Sequence, residues 1–394
     1  MPLPELWYGG VALCGLGHEQ LQAGANATPD MVVTTPMLKT ISDVALDANG
    51  NAWVVGSGSD YVFRFAAAAV RPPAVMPMKS TPVEPDLVIR SPALKSPGNL
   101  AFDASGSLWV ANRPPAGATM PDGGAMPDAA TMTPDGGAMP SDGSIVRFDI
   151  PSGASGMQDL SPIARITSAT AGDLSNIGNI AFDRAQNLWL TSFVGLLRFD
   201  DPRSKSGDVV LAPGAVIDKT GYANNIYFYS VAFDAKGALW ATSADGLHYL
   251  TSVTEFKNPG LLGGRSSPVA AATIMGVADR LPAGGLAFDT AGNLWQANND
   301  SILMYSGPGD LSGSVNPTPA ITIKVMGVAT PTTNSHLAFF PLPPSSGTTD
   351  AGADDAAADD VTGDGCVPTP IRPVCGATDA EADDAAADDA NGGG

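Results

Sequence analysis

The stretch Leu286-Ala-Phe-Asp-Thr-Ala-Gly-Asn-Leu-Trp295 returns with small changes along this chain of 394 residues. Every copy runs from an aliphatic residue and Ala to an Asp, and a Trp follows that Asp six positions later. The successive Trp residues are 56, 80, 51 and 55 positions apart. The other full copies are Val44–Trp53, Leu100–Trp109, Ile180–Trp189 and Val231–Trp240.

Each copy predicts a β-hairpin, because aliphatic-Ala-Phe is a short strand, Asp and Gly suit a tight turn, and Leu-Trp opens a second strand. Leaving out a 31-residue low-complexity stretch reduces the spacing of 80 to 49. The repeat is then about fifty residues long, the size of a four-stranded propeller blade. We therefore predict an all-β propeller in which the Ala faces the channel axis and the Trp fills the space between blades.

The two chain ends complement each other. A sixth copy, Leu337-Ala-Phe-Phe340, has no Leu-Trp after it, whereas Leu6-Trp7 has no first strand before it. We predict a six-bladed β-propeller of four-stranded blades over residues 5–345, whose last blade is built from both ends, because that closure removes two open sheet edges. Seven blades, or a fragment of five and a half blades, are the alternatives.

Two segments depart from the repeat. Residues 113–143 carry Asp-Gly-Gly-Ala-Met-Pro twice, which predicts a low-complexity insert loop. Residues 346–394 form an acidic tail with two copies of ADDAAADD, and we expect the tail to be disordered because it has little apolar surface to bury. Within it, Cys366 and Cys375 predict a disulfide in an oxidising compartment.

The formal net charge is −20, with 40 acidic and 20 basic residues. This balance argues against a nucleic-acid partner, since phosphate binding needs a basic surface. No stretch approaches the roughly 18 apolar residues of a membrane span, so we expect none. The low lysine content and the cysteine pair favour an extracellular or cell-surface location, although the chain has no convincing signal peptide. We expect a monomer.

The recurring Ala-Phe-Asp-x-x-Gly-Asn-Leu-Trp core resembles that of NHL-type and streptogramin-lyase-like (virginiamycin B lyase-like) β-propellers, over residues 5–345. The resemblance implies the fold and a wide range of functions, from lyases and lactonases to sensors and protein-binding modules. For the lyases it implies a histidine base beside a metal ion held by an acid. The chain has three His, and only His336 falls near the expected channel mouth.

The first strands begin near that mouth, so the residue four positions before each turn Asp belongs to the channel rim. These side chains either cap backbone N–H groups or hold a divalent cation, Ca²⁺ or Mg²⁺, with Asp43 and His336 as the metal ligands and Asn99 and Asn179 beside them. The rim positions are Asp43, Asn99, Asn179, Ser230, Gly285 and His336.

Two further sets recur. Asn112 and Asn298 lie three positions after a Trp, where they either satisfy the loop after the second strand or reach a ligand. A basic residue recurs on the third strand, and we interpret it as solvated on an outward face, with an anion site as the alternative. That set is Arg64, Arg147 and Arg198, with His248 in the corresponding copy.

These observations favour a non-catalytic binding or scaffold propeller without a cofactor, acting on a protein or glycan partner. The alternative is a metal-assisted lyase or lactonase at the channel mouth. The composition of the rim argues against this enzymatic alternative. A lyase needs a base that is positioned for proton transfer, and Asp43 and His336 are the only titratable rim groups.

Overall fold

The structure is a computed structural model that describes residues 5–23, 26–57, 59–70, 81–113, 143–219, 226–245, 251–275, 284–298, 301–325 and 336–339. Residues 114–142, the acidic tail and the Cys366–Cys375 pair therefore lie outside the described residues. Within these ranges, no helix is long and apolar enough to cross a membrane.

Six sheets form the ring, and we number them as blades 1 to 6, with strands counted outward from the channel. The first strand of each blade contacts the first strand of the next, and that of blade 6 contacts that of blade 1. Blade 1 comprises Thr40–Leu46, Ala52–Ser57, Tyr61–Phe65, Leu87–Arg90 and Gly156–Asp159. Blade 2 comprises Pro97–Phe102, Leu108–Asn112, Ser144–Phe148, Ala164–Ser168 and Gly207–Leu211. Blade 3 comprises Ile180–Phe182, Leu188–Ser192, Gly195–Phe199, Ala215–Asp218 and Gly264–Ser266.

The other half of the ring has the same order of strands. Blade 4 comprises Ile226–Phe233, Leu239–Asp245, Thr251–Phe256, Ala272–Met275 and Gly313–Val315. Blade 5 comprises Leu286–Phe288, Leu294–Ala297, Ser301–Tyr305, Ile321–Val325 and Asn26–Ala27. Blade 6 comprises Leu337–Phe339, Leu6–Tyr8, Leu13–Leu16, Met31–Thr34 and Thr81–Pro82. Among the residues that the structure describes, the helices are His18–Ala23 and the short 3₁₀ turns Pro202–Ser204, Pro259–Leu261 and Pro308–Asp310.

The ring closes as predicted, because the N-terminal strand Leu6–Tyr8 pairs antiparallel with the C-terminal strand Leu337–Phe339. Each blade also has a fifth strand beyond the predicted four. It comes from the connection between the third and fourth strands of the next blade and pairs parallel with the fourth strand, as Gly156–Asp159 does with Leu87–Arg90. This exchange covers an edge whose backbone groups would otherwise lack partners and ties each blade to its neighbour.

The fixed separation between turn Asp and Trp has a direct cause. In each of the five full copies the Trp indole N–H donates to Oδ2 of the Asp six positions earlier, at 2.8–3.2 Å. The Trp ring then meets the first-strand Phe of the next blade, as Trp53 meets Phe102 edge-on at 5.6 Å between ring centroids. The expectation that Trp fills the space between blades is confirmed.

The expectation for the Ala was wrong. Ala45 pairs across the hairpin with Trp53 and packs in the same cluster between blades, so it does not face only the channel. Its small size leaves room for the indole ring beside it. The other five first-strand Ala residues occupy the equivalent place beside their own Trp.

The recurring arginines are not solvated outward-facing residues. Each guanidinium lies over the Trp of its own blade, at 5.5–5.7 Å from the ring centroid. Each also donates to backbone carbonyls of the segment that leads into the fifth strand, Arg64 to Ala154 O and Arg198 to Gly260 O. These arginines therefore hold neighbouring blades together. His248 lies outside the described residues, and the position opposite Trp240 is Glu255.

Candidate functional site

Five of the six predicted rim residues carry polar side chains, and these come together at the channel from five different blades. The sixth, Gly285, is buried directly before the first strand of blade 5. All of them are buried, because they stand on the innermost strands or directly before them, where the blades converge. His336 comes from blade 6, just before the closing strand. The set and its exposed fractions are Asp43 2%, Asn99 0%, Asn179 8%, Ser230 1% and His336 8%.

The imidazole of His336 spans the channel. Its Nε2 lies 3.2 Å from Nδ2 of Asn99, on blade 2. Its Nδ1 lies 3.0 Å from Nδ2 of Asn179, on blade 3. Blades 6 and 3 face each other across a six-bladed ring, so this side chain bridges opposite walls.

The hydrogen bonds determine the tautomer of His336. Asn179 Oδ1 accepts from Val231 N at 3.0 Å, which leaves Nδ2 as the donor to imidazole Nδ1. A neutral imidazole that accepts at Nδ1 carries its proton at Nε2. Asn99 Nδ2 faces Nε2 and also hydrogen-bonds Asp43, whereas Asn99 Oδ1 is buried without a partner among the described residues.

Asp43 lies beside this bridge, with Oδ1 3.7 Å from His336 Nδ1. Its oxygens accept from the backbone N–H groups of Val44 at 2.8 Å and Leu100 at 2.6 Å. Burial raises the pKa of Asp43 to about 8, against the opposite effect of these two N–H donors and of Arg113. Burial also lowers the pKa of His336 to about 4, with Arg113 acting in the same direction, so the imidazole is neutral at pH 7.

The rim side chains also link one blade to the next. Asp43 of blade 1 accepts from Leu100 N of blade 2, and Ser230 Oγ of blade 4 accepts from Leu286 N of blade 5 at 3.1 Å. Asn179 Oδ1 of blade 3 likewise accepts from Val231 N of blade 4. These polar groups therefore satisfy backbone N–H groups that would otherwise be buried without an acceptor.

The second predicted set lies in the loops. Asn112 Oδ1 accepts from Lys95 N at 3.0 Å, and its Nδ2 donates to Ala93 O at 2.8 Å and to Ser144 Oγ at 3.0 Å. The side chain thus holds the connection between blades 1 and 2. Asn298 is half-buried, and its backbone N–H donates to Ser301 O.

A divalent cation does not fit the rim as it stands. Ca²⁺ takes six to eight oxygen ligands and Mg²⁺ takes six. Both oxygens of Asp43 already accept backbone N–H groups, and both nitrogens of His336 face amide groups. In the described part of the chain, no group of three or more His, Cys, Asp or Glu could hold a metal ion.

Two features were not found from the sequence. Arg113 packs on Gly98, where a Cβ would come within 2.7 Å of its Nε, and it places a cation near the Asp43–His336 pair. Lys219 lies against two aromatic rings. The one hint of the Arg113 contact in the sequence is the glycine at position 98, which leaves room for the arginine side chain. The sequence around Lys219 has no comparable hint.

No family model matches the chain. No curated protein matches it either. Solved structures do resemble it. One is a protein of unknown function from Bacteroides caccae, at 9% identity and TM-score 0.49, over 86% of this chain and 98% of that one. Another is virginiamycin B lyase from Staphylococcus aureus, at 11% identity and TM-score 0.34, over 75% of this chain and 78% of that one. A third is the extracellular domain of a two-component-system protein from B. thetaiotaomicron, at 16% identity and TM-score 0.37, over 69% of this chain and 30% of that one. At these identities and TM-scores, none of the three carries an argument about this chain.

Proposed function

We propose that this chain is an extracellular or cell-surface propeller that binds a protein partner and catalyses no reaction. The observation that carries the proposal is the rim itself. Its imidazole and its carboxyl group are buried and hydrogen-bonded within the ring, and a general base must reach a substrate proton. A rim of this kind stabilises the ring, and recognition falls to the loops.

The two faces of the propeller differ in a way that supports this. In each of the five full repeats, five residues join the first and second strands, and we call the side of the ring where these turns lie the turn face. The opposite side, where the second and third strands are joined, is the loop face. On the loop face, the connections between second and third strands range from Phe193–Val194 to residues 113–143. Variable loops on a rigid scaffold are where proteins place recognition. We therefore place the partner on the loop face, with a glycan as the other chemistry to test.

Site-specific photo-crosslinking tests this proposal. A benzophenone amino acid at Lys95, exposed on the loop face, should form adducts with a protein from the cell-surface fraction of the source organism. The same probe at Ala48, exposed on the turn face, is the matched control and should form none. Adducts from Ala48 but not from Lys95 would contradict the placement.

One distance favours the second candidate function, a metal-assisted lyase or lactonase. Asp43 Oδ1 and His336 Nδ1 are 3.7 Å apart, an acid beside an imidazole. Calorimetric titration with Ca²⁺ and with Mg²⁺ separates the two functions. We expect no binding by the wild type. Binding that disappears in Asp43→Asn, together with turnover of a lactone, would replace the binding proposal.

A further inference from the structure

Lys219 lies on the loop face between blades 3 and 4, directly after the strand Ala215–Asp218. Its Nζ is 3.6 Å from the ring centroid of Phe193 and 4.0 Å from that of Tyr227. The two rings are tilted by 44° and are 5.7 Å apart. Phe193 belongs to the loop between the second and third strands of blade 3, and Tyr227 to the first strand of blade 4. Three separate segments thus enclose one amine.

The amine has no hydrogen-bond acceptor among the residues that the structure describes, and Lys219 is only 8% exposed. The adjacent carboxylate, Asp218, accepts from Arg265 Nη1 at 2.8 Å, so its charge is largely balanced by that guanidinium. Because the residue as a whole is largely buried, an ammonium group here has few water molecules around its three N–H donors and no protein acceptor among the described residues, and a neutral amine loses less by that burial.

Two effects on the protonation of Lys219 oppose each other. The ring faces of Phe193 and Tyr227 attract an ammonium through their negative π-faces. Burial favours the neutral amine, and it lowers the pKa of Lys219 to about 8, although Asp218 acts in the opposite direction. Loss of water around an amine is also what makes lysines in apolar pockets nucleophilic. The experiment must therefore measure the pH at which the Lys219 amine loses its proton.

We propose that Lys219 is a nucleophilic amine of the loop face that condenses with small aldehydes. The amine lone pair attacks the carbonyl carbon, and the carbonyl oxygen takes up a proton to give a carbinolamine. Loss of one water, formed from that oxygen and the two amine hydrogens, leaves an imine, so no oxidant or reductant is needed. A small aldehyde can approach from solvent, because Phe193 and Tyr227 are only half-buried and the side chain of Arg265 is 47% exposed. This proposal does not depend on the binding function.

Reductive trapping tests it on the full chain. The protein is treated with limiting propionaldehyde and cyanoborohydride between pH 6 and 10, and alkylation at each lysine is followed by peptide mass spectrometry. Lys236, whose side chain is 75% exposed, is the internal reference. At pH 7.5 we expect Lys219 to react about tenfold faster than Lys236, because its larger neutral fraction outweighs its lower basicity. Its rate should reach half its maximum near pH 8.

A rate at Lys219 no greater than that at Lys236, or a rate still rising at pH 10, would overturn the proposal and show that the rings hold an ammonium. The variant Phe193→Leu tests the cause, because admitting water should move the midpoint toward that of Lys236. If the midpoint of the Lys219 pH profile is unchanged in this variant, the two rings do not cause the reactivity of the amine. If this variant does not fold, the wild-type pH profile still decides.

Discussion

The turn Asp of each repeat binds donors from both its backbone and its side-chain neighbours. In blade 3, Asp183 Oδ1 accepts from Asn187 N at 2.8 Å, and Oδ2 accepts from Asn187 Nδ2 and from Trp189 Nε1, each at 3.0 Å. A carboxylate suits this place because all its hydrogen-bonding positions are acceptors. An amide would turn one of them into a donor that faces a donor.

Asp183→Asn should therefore lower the free energy of unfolding by about 2 kcal/mol, the range for a buried donor left unpaired. Urea denaturation followed by tryptophan fluorescence measures the change. Asp208→Asn is the matched control, since Asp208 is exposed on a fifth strand, and it should change the free energy of unfolding little. Equal effects of the two substitutions would contradict the role given to the turn Asp.

The rim pair predicts an unusual dependence of stability on pH. The pKa of His336 is about 4 in the folded chain and about 6.5 when unfolded, so acidification between these values destabilises the fold. The pKa of Asp43 is about 8 in the folded chain and about 3.9 when unfolded, so acidification between these values stabilises it. Between pH 4 and 6.5 the two slopes oppose each other, and the contribution of the pair is nearly flat.

Removing the acid should expose the slope of the imidazole. For Asp43→Asn we expect the free energy of unfolding to fall by about 2 kcal/mol more than that of the wild type between pH 6.5 and 4.5. His336→Gln should show the opposite slope. The comparison uses urea midpoints across pH, so a constant loss of stability in either variant does not affect it. Parallel pH profiles for Asp43→Asn and the wild type would refute the opposing titrations.

At the scale of elements, the hairpins were predictable and the fifth strands were not. Each hairpin carries its own signature, because the Asp–Trp hydrogen bond fixes two residues at one spacing. The fifth strands are short and pair with another blade, so they show no alternation of their own. A signal did exist, a Pro five positions before a Gly with positive φ. It occurs at Pro151 and Gly156, Pro202 and Gly207, Pro259 and Gly264, and Pro308 and Gly313.

Blades 1 to 3 carry an arginine that holds the fifth strand, and blade 4 has a carboxyl group at that position. Glu255 stands opposite Trp240, it is 1% exposed, and its Oε2 has no hydrogen-bond partner among the described residues. Burial raises the pKa of its carboxyl group. The folded chain therefore holds the proton at pH values where the unfolded chain has lost it, and this residue destabilises the fold as the pH rises through that range.

Glu255→Gln should thus raise the free energy of unfolding at pH 7, by about 1 kcal/mol, and the gain should shrink on acidification below the carboxyl pKa. Thermal unfolding at pH 7 and pH 4 measures both effects. The matched substitution on blade 3, Arg198→Gln, should destabilise, because that guanidinium donates to Gly260 O and to Asp200. A destabilised Glu255→Gln at pH 7 would show that the carboxylate has a favourable role.

At the scale of the whole molecule, closure of the ring brings the residues of the candidate site together. Counting back from each turn Asp places the rim residues at the start of the first strands. The structure has half of them on these strands and half directly before them, the latter being Asn179, Gly285 and His336. Their bonds to one another could not be predicted, since Asn99 and His336 are 237 positions apart and meet only because the ring closes. Arg113 was missed for a related reason, because it acts on the rim from the end of a second strand.

Closure also makes Trp7 a core residue of the whole ring. It is 1% exposed and packs between blades 6 and 1, with Leu13 and Ile41 among its neighbours. Trp7→Ala should cost about 3–5 kcal/mol, as for other buried tryptophans. Val11→Ala is the control, because Val11 is 54% exposed, and it should change the melting temperature little. An unchanged melting temperature for Trp7→Ala would mean that the N-terminal strand does not support the ring.

Two truncations separate the closing strand from the sequence that follows it. Met1–Thr348 form one compact unit, so removing residues 349–394 should leave the melting temperature nearly unchanged. Removing residues 336–394 also deletes His336 and the strand Leu337–Phe339. The strand Leu6–Tyr8 then loses its inner partner, and Asn99 and Asn179 lose the imidazole between them. Because every blade packs on two neighbours, this opening should reach the whole ring, and we expect a broad, non-cooperative thermal transition by calorimetry. A sharp transition in the longer deletion would show that five blades hold the ring without its closure.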